Sequence, residues 1–481
     1  MANQPNIVMI VFDHQLYYRH GADGGAQIRR PCFDAFKQEA TLFENAFSVC
    51  PLCGPARRSM LDGLYPHKHG QVRNEMMPMG EETYYDCLRR AGYDAYYIGK
   101  WHAGQGTAQS LGCKGFSPEG YGNPYTLDDY RAYCRERGFD SPKALVEFSE
   151  SAREYFKEGE VADLAGYPYL YTYTFGTLQT PSDTHECFYL ANRACEQIER
   201  LAKQEDGRPF ALRVDFWGPH HPYFPTQEYL DLYDESEIGM YGSFTDDLHD
   251  KPPVYRYEEG YSLARDHEMI IPNPLPEARW KKMLRYAYAQ NSMCDAAAGR
   301  IIDALKRHGL LENTVVIWTA DHGDALGSHG GHLDKNCYLS EEMIRIPLLV
   351  RAPGAGCGAV SAANVSNLDI PATIADYCGE RFRTEIDAQS LRPYLEDAGS
   401  AGREYFVSVS HGHFQRHIAR AVCAGRYRYI YNKNMTEELY DLETDPYELH
   451  NLCNDPAYAD IKKRLQEKLD CWRKEYRDRE L

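Results

Sequence analysis

Short apolar runs punctuate the chain. Residues 7–12, Ile-Val-Met-Ile-Val-Phe, are continuous and rich in β-branched side chains, the pattern of a strand buried on both faces of a parallel sheet. Similar runs occupy residues 93–98, 210–216, 314–319 and 346–350. Between them, residues 186–203 and 279–307 repeat apolar side chains at helical spacing. Strands alternating with helices predict an α/β fold, a large central, mostly parallel sheet sandwiched by helices. From about residue 369 the pattern shifts. A helix is expected over 368–377, then a polar stretch at 396–403, short alternating runs at 405–409, 418–422 and 427–431, and a closing helix over 456–477. That reads as a smaller C-terminal antiparallel sheet with a helix packed on it, residues 396–481 after a catalytic domain of residues 1–395. Residues 117–183 and 233–276 are rich in Tyr, Gly and Pro without clear periodicity, as expected of long loops that shape a substrate site.

The polar residues that end the runs share a theme. Residue 12 is followed by Asp13-His14-Gln15, residue 98 by Gly-Lys100-Trp-His102, residue 216 by Trp-Gly-Pro-His220-His221, and residue 319 by Ala-Asp321-His322-Gly-Asp324. Four strands thus end in residues suited to a metal or an anion, at the sheet edge where open α/β sheets bind their ligands. Another dense segment is Cys50-Pro-Leu-Cys53-Gly-Pro-Ala-Arg57. Cys50 and Cys53 have the spacing of a redox pair at a helix start, or are two small buried residues.

Composition narrows the function classes. In 481 residues, 53 Lys+Arg stand against 71 Asp+Glu, a net charge of −18, which disfavours nucleic acid and anionic membranes as partners. Fifteen cysteines, an odd number spread over a long chain, fit reduced thiols better than a disulfide framework. The run at 7–12 is too short for a secretory core and no stretch reaches membrane-span length, so the expected location is cytoplasmic, with no membrane partner.

Cys53-Gly-Pro-Ala-Arg57, continued by Ser59, Leu61 and Gly63-Leu-Tyr-Pro-His-Lys-His-Gly70, resembles the signature of the type I sulfatases of the alkaline phosphatase superfamily. Gly99-Lys100-Trp101-His102, Pro219-His220, Thr319-Ala-Asp321-His322-Gly-Asp324, Lys335 and the tail segment Glu438-Leu-Tyr-Asp-Leu-Glu-Thr-Asp-Pro446 follow in the family's order. The resemblance implies hydrolysis of a sulfuric ester by a formylglycine made from Cys53 by a separate maturation enzyme. It implies one divalent metal held by Asp13, His14, Asp321 and His322. It further implies Lys100 and Lys335 on the sulfate, His102 as base, His220 at the leaving oxygen, and Arg57 reaching the nucleophile and the ligand carboxylates.

The two histidines among the metal ligands depart from the family's usual oxygen donors. Ca²⁺ is the default, with imidazole moving the preference toward Mn²⁺ or Zn²⁺, and Gln15 stands as an alternative to His14. His221 is the alternative to His220, whereas His67, His69, His329 and His332 are explained by tight turns and supporting contacts. A cytoplasmic enzyme suggests a small sulfated substrate, a mono- or oligosaccharide. Two other readings stay open: a phosphonate monoester or phosphodiester hydrolase of the same superfamily, and a redox or metal-binding protein using Cys50 and Cys53.

Overall fold

The structure is a computed structural model that describes residues 4–17, 28–150, 152–169, 172–258, 263–336 and 338–480. Its main sheet has eight strands: β1 (Asn6–Asp13), β2 (Thr41–Phe47), β3 (Asp94–Gly99), β4 (Lys114–Phe116), β5 (Phe210–Pro219), β6 (Thr314–Ala320), β7 (Leu348–Arg351) and β8 (Val360–Ser366). Their spatial order is β8-β2-β7-β6-β1-β5-β3-β4. β7 is antiparallel to β6 and β2, while the other pairings are parallel. β1, β5 and β6 are buried along their whole length, as strands covered on both faces must be.

Five helices fix the remaining framework: α1 (Cys53–Asp62), α2 (Glu186–Ala202), α3 (Glu277–Arg307), α4 (Ile370–Tyr377) and α5 (Ala459–Glu475). The second sheet is antiparallel, with β9 (Phe406–Gly412), β10 (Arg416–Ala424), β11 (Tyr427–Asn432) and β12 (Glu438–Asp441) in sequential order. It is tied directly to the segment leading into α1. Val409 N–H donates to Val49 O at 2.8 Å and Ser408 Oγ to Ser48 O at 2.7 Å. Phe47, Val49, Leu52 and Ala56 share one buried cluster with β9, β10 and the α5 residues Leu465, Leu469 and Trp472.

One expectation needs correction, and two strands were not foreseen. The Tyr-rich region after residue 117 is not loop alone. It holds the helix Asp128–Arg137 and an antiparallel sheet of Val161–Asp163, Lys143–Ser149 and Thr174–Leu178. β2 and β8 escape an apolar-run search because Glu44-Asn45 and Ser361-Ala-Ala-Asn364 interrupt their patterns. In the second loop region, residues 259–262 lie outside the described residues. Among the described residues no helix is long and apolar enough to cross a membrane.

Candidate active site

The carboxyl ends of β1, β3, β5 and β6 deliver Asp13-His14, Lys100 with His102, His220 and Asp321-His322 to one region, and the segment after β2 brings in Cys53. Several of these residues hold unusual backbone. His14, His102 and Asp334 have φ of 64°, 46° and 61°, in the left-handed region that non-glycine residues rarely occupy. Such strain, held by surrounding structure, is common at functional sites.

Cys53 is the first residue of α1 and fully buried. Asn74 Oδ1 accepts from Gly54 N–H at 2.8 Å, so a remote side chain satisfies one of the free amides at the helix start. Cys53 Sγ lies 3.2 Å from His322 Nε2. Burial, reinforced by Asp13, pushes the thiol far above its ordinary range, so an unmodified Cys53 stays protonated.

Arg57, one helical turn on, does not contact the sulfur. Its Nε donates to Asp321 Oδ2 at 2.8 Å and its Nη1 to Asp215 Oδ2 at 2.7 Å. Asp215 also accepts from Arg213 at 2.7 and 2.8 Å. Lys100 Nζ donates to Asp13 Oδ2 and lies 4.0 Å from the centroid of the Tyr121 ring. Lys335 Nζ contacts His14 Nε2 at 2.9 Å, His220 Nε2 at 3.1 Å and Asp334 Oδ1 at 2.8 Å.

The tautomers follow from the partners. His322 Nδ1 is 2.7 Å from Gly323 O, a group that only accepts, so Nδ1 carries the hydrogen and Nε2 presents a lone pair. His14 Nδ1 is 2.9 Å from Asp324 Oδ2, leaving His14 Nε2 as its lone pair. His220 Nδ1 is 2.6 Å from His221 O, so its Nε2 accepts from Lys335. Burial holds all three rings neutral: His322 falls to about 3, and His14 and His220 drop well below their ordinary value, with Lys335 adding to burial at each.

These donors fit a divalent cation. Asp13 Oδ1 is buried without a hydrogen-bond partner, 3.9 Å from His14 Nε2 and 4.0 Å from His322 Nε2. Asp13, His14, Cys53 and His322 offer ligand atoms that all lie within 4.8 Å of one another. Burial and the neighbouring Asp13 carboxylate push Asp321 up to about 7, which is the cost of two adjacent buried acids that a bound cation would remove. A second group, His14, His220 and Asp334, is already bridged by the Lys335 ammonium.

Gln15 does not reach this cluster through its oxygen, which accepts from Trp318 Nε1 at 3.0 Å. His221 Nε2 lies 3.8 Å from Asp334 Oδ2. The other histidines serve their own surroundings: His67 contacts Tyr476 O, His69 contacts Ser59 Oγ, His329 contacts Asp246, and His332 contacts Tyr255 O. Cys50 and Cys53 are both free thiols, as are all fourteen described cysteines; Cys337 lies outside the described residues.

A cavity of about 390 Å³ opens onto Cys53, His102 and Lys335, and is further lined by Asn74, Tyr121, Tyr167, Tyr169, His413 and Phe414. Sequence reasoning missed Asp215 and Asp334 as supports, and named Asp324 only as part of the motif after residue 319. The available signals were charged residues set inside or beside apolar runs. Nothing in the sequence pattern pointed to His413 or Phe414.

A family model described as Sulfatase matches residues 5–380, and one described as N-sulphoglucosamine sulphohydrolase, C-terminal, matches residues 327–475. The choline-sulfatase of Rhizobium meliloti (strain 1021) is 30% identical, covering 94% of this chain and 83% of the relative. A solved structure of BT4656 in complex with its substrate D-glucosamine-2-N,6-O-disulfate superposes with TM-score 0.73 at 20% identity, covering 99% of each chain. The phosphonate monoester hydrolase of Agrobacterium radiobacter superposes with TM-score 0.76 at 21% identity, covering 98% of this chain and 96% of that one.

Proposed function

This chain belongs to the sulfatase family and is a sulfuric ester hydrolase, and from that premise we propose that Cys53, matured to formylglycine by a separate enzyme, carries its nucleophile. The observation that carries the reading is the position of Cys53: buried, at a helix start and 3.2 Å from a metal-suited imidazole. When present, hydrated formylglycine supplies an oxygen for attack on sulfur and a second hydroxyl for expelling sulfate, and a divalent ion supplies positive charge to both.

The chain's own residues do the rest. Asp13, Asp321, His14 and His322 would hold the ion, His14 through the Nε2 lone pair that Lys335 meets in the resting geometry, and the two imidazoles would shift the preference from Ca²⁺ toward Mn²⁺ or Zn²⁺. Lys100 and Lys335 bring cations to the sulfate oxygens, where charge must be neutralised for a nucleophile to approach. His102, kept neutral by burial and by Lys100, has a lone pair for the proton released when sulfate leaves. Lys335 and His220 share the proton destined for the leaving oxygen. In the resting geometry it sits on Lys335 and His220 Nε2 accepts from it.

The substrate is a small sulfated molecule, a mono- or oligosaccharide. Support comes from the compact cavity and from the glucosamine disulfate bound by BT4656. The fourteen free thiols support a reducing, cytoplasmic location. A redox protein built on Cys50 and Cys53 is set aside by family membership. The phosphonate hydrolase reading has a specific support in the structural likeness to that enzyme, so kinetics on matched sulfate and phosphonate monoesters is the discriminating experiment. kcat/KM should favour the sulfate; a phosphonate preference by orders of magnitude would replace the proposal with the second reading.

A further inference from the structure

The reaction chemistry leaves the rim of the cavity unexplained. Two segments far apart in sequence supply it. Tyr167 and Tyr169 come from the insertion after the strand Val161–Asp163, and His413 and Phe414 from the turn between β9 and β10 of the C-terminal sheet. Tyr169 is 63% exposed and Phe414 40%, so two aromatic side chains stand open to solvent at the cavity that contains the nucleophile. The rings of His413 and Phe414 lie 3.8 Å apart between centroids, tilted by 43°.

His413 Nδ1 is buried without a hydrogen-bond partner, and so is Nδ1 of His102 on the same lining. His413 as a residue is only half-buried and lines the cavity, so the accessible part of its imidazole has hydrogen-bonding capacity for a ligand there. Among the described residues the lining includes no carboxylate, so a cationic leaving group finds only aromatic faces there and choline sulfate is the competing ester. An aryl group would cover the aromatic side chains but leave the imidazole nitrogens unpaired. A sugar ring presents both an apolar C–H face for an aromatic side chain and hydroxyl groups for an imidazole.

Resting on the sulfatase reading, we propose that the turn at residues 413–415 is the enzyme's specificity element, with Phe414 stacking on one sulfated sugar ring and His413 hydrogen-bonding a ring hydroxyl. Burial holds His413 down at about 4, so at neutral pH its ring offers one donor and one acceptor, the pairing a hydroxyl group takes.

The test uses the full chain with formylglycine confirmed by mass spectrometry. kcat and KM are measured for hexose and hexosamine monosulfates, nitrophenyl sulfate and choline sulfate, in the wild type, His413→Ala, His413→Gln and Phe414→Ala. His413→Ala and Phe414→Ala should each raise KM for the preferred sugar sulfate about tenfold with kcat within about twofold. The loss should be several-fold larger for the sugar sulfate than for nitrophenyl sulfate, an unchanged thermal transition controls for folding, and His413→Gln should recover part of the sugar KM. Equal losses on sugar and aryl esters, an unchanged sugar KM, or a wild-type preference for choline sulfate or nitrophenyl sulfate over every sugar would overturn the inference while leaving the enzyme a sulfatase. Sulfate release from none of the esters would remove the sulfatase reading and this inference with it.

Discussion

Arg57 joins the helix that carries Cys53 to two strands at once, through Asp321 beyond β6 and Asp215 on β5. All three side chains are fully buried, so the arrangement holds only while its charges balance. Asp215→Ala would leave Arg57 and Arg213 short of a counter-charge in the interior. The expected cost is roughly 3–5 kcal/mol, read as a lowered thermal transition, together with reduced sulfate release because Arg57 no longer holds Asp321 in place. A variant that melts like the wild type would show that Asp215 is not the counter-charge the geometry makes it. Most of the residues that the fold gathers around Cys53 were legible because they stand in motifs at strand ends. Their supports were not. Asp215 sits inside an apolar run, and its relation to Arg57, 158 residues earlier, exists only in the folded chain.

The element that positions Asp321 and His322 is the turn after β6. Gly323 N–H donates to Met343 O at 2.9 Å and Asp324 N–H to Glu342 O at 3.1 Å, so this turn is stitched to the short helix Glu341–Ile344. A Cβ at Gly323 would fall 1.8 Å from Glu342 O, against backbone that cannot rotate away. Gly323→Ala should therefore displace both proposed ligand residues, Asp321 and His322. The expected outcome is loss of bound metal by elemental analysis and a drop in kcat on the order of a hundredfold, the usual effect of a misplacement near 1 Å. Full metal occupancy with normal turnover would contradict the role given to this turn. At this level the sequence was informative where elements are strongly patterned: β1, β5, β6, α2 and α3 fall within a few residues of expectation. β2 and β8 were not visible, since polar residues interrupt them and tertiary pairing rather than local pattern makes them strands.

The molecule combines an acidic body, net charge −18, with a buried site where Lys100, Lys335 and Arg57 are paired with Asp13, Asp334, Asp321 and Asp215. A small anion that enters meets Lys335 on the cavity lining, whereas a long polyanion meets the repulsive exterior. The C-terminal sheet contributes to both features. It is anchored by hydrogen bonds to residues 48 and 49, a few residues before Cys53, and its β9–β10 turn forms part of the cavity rim. This long-range placement was illegible in the sequence, because no periodicity specifies which loop the turn of one sheet will face. The most direct measurement is sulfate release plotted against the fraction of Cys53 converted to formylglycine, in preparations made with and without a maturation enzyme. Turnover should rise in proportion to the converted fraction and extrapolate to zero for the thiol form. Full turnover from protein whose Cys53 peptide is entirely unmodified would contradict the mechanism.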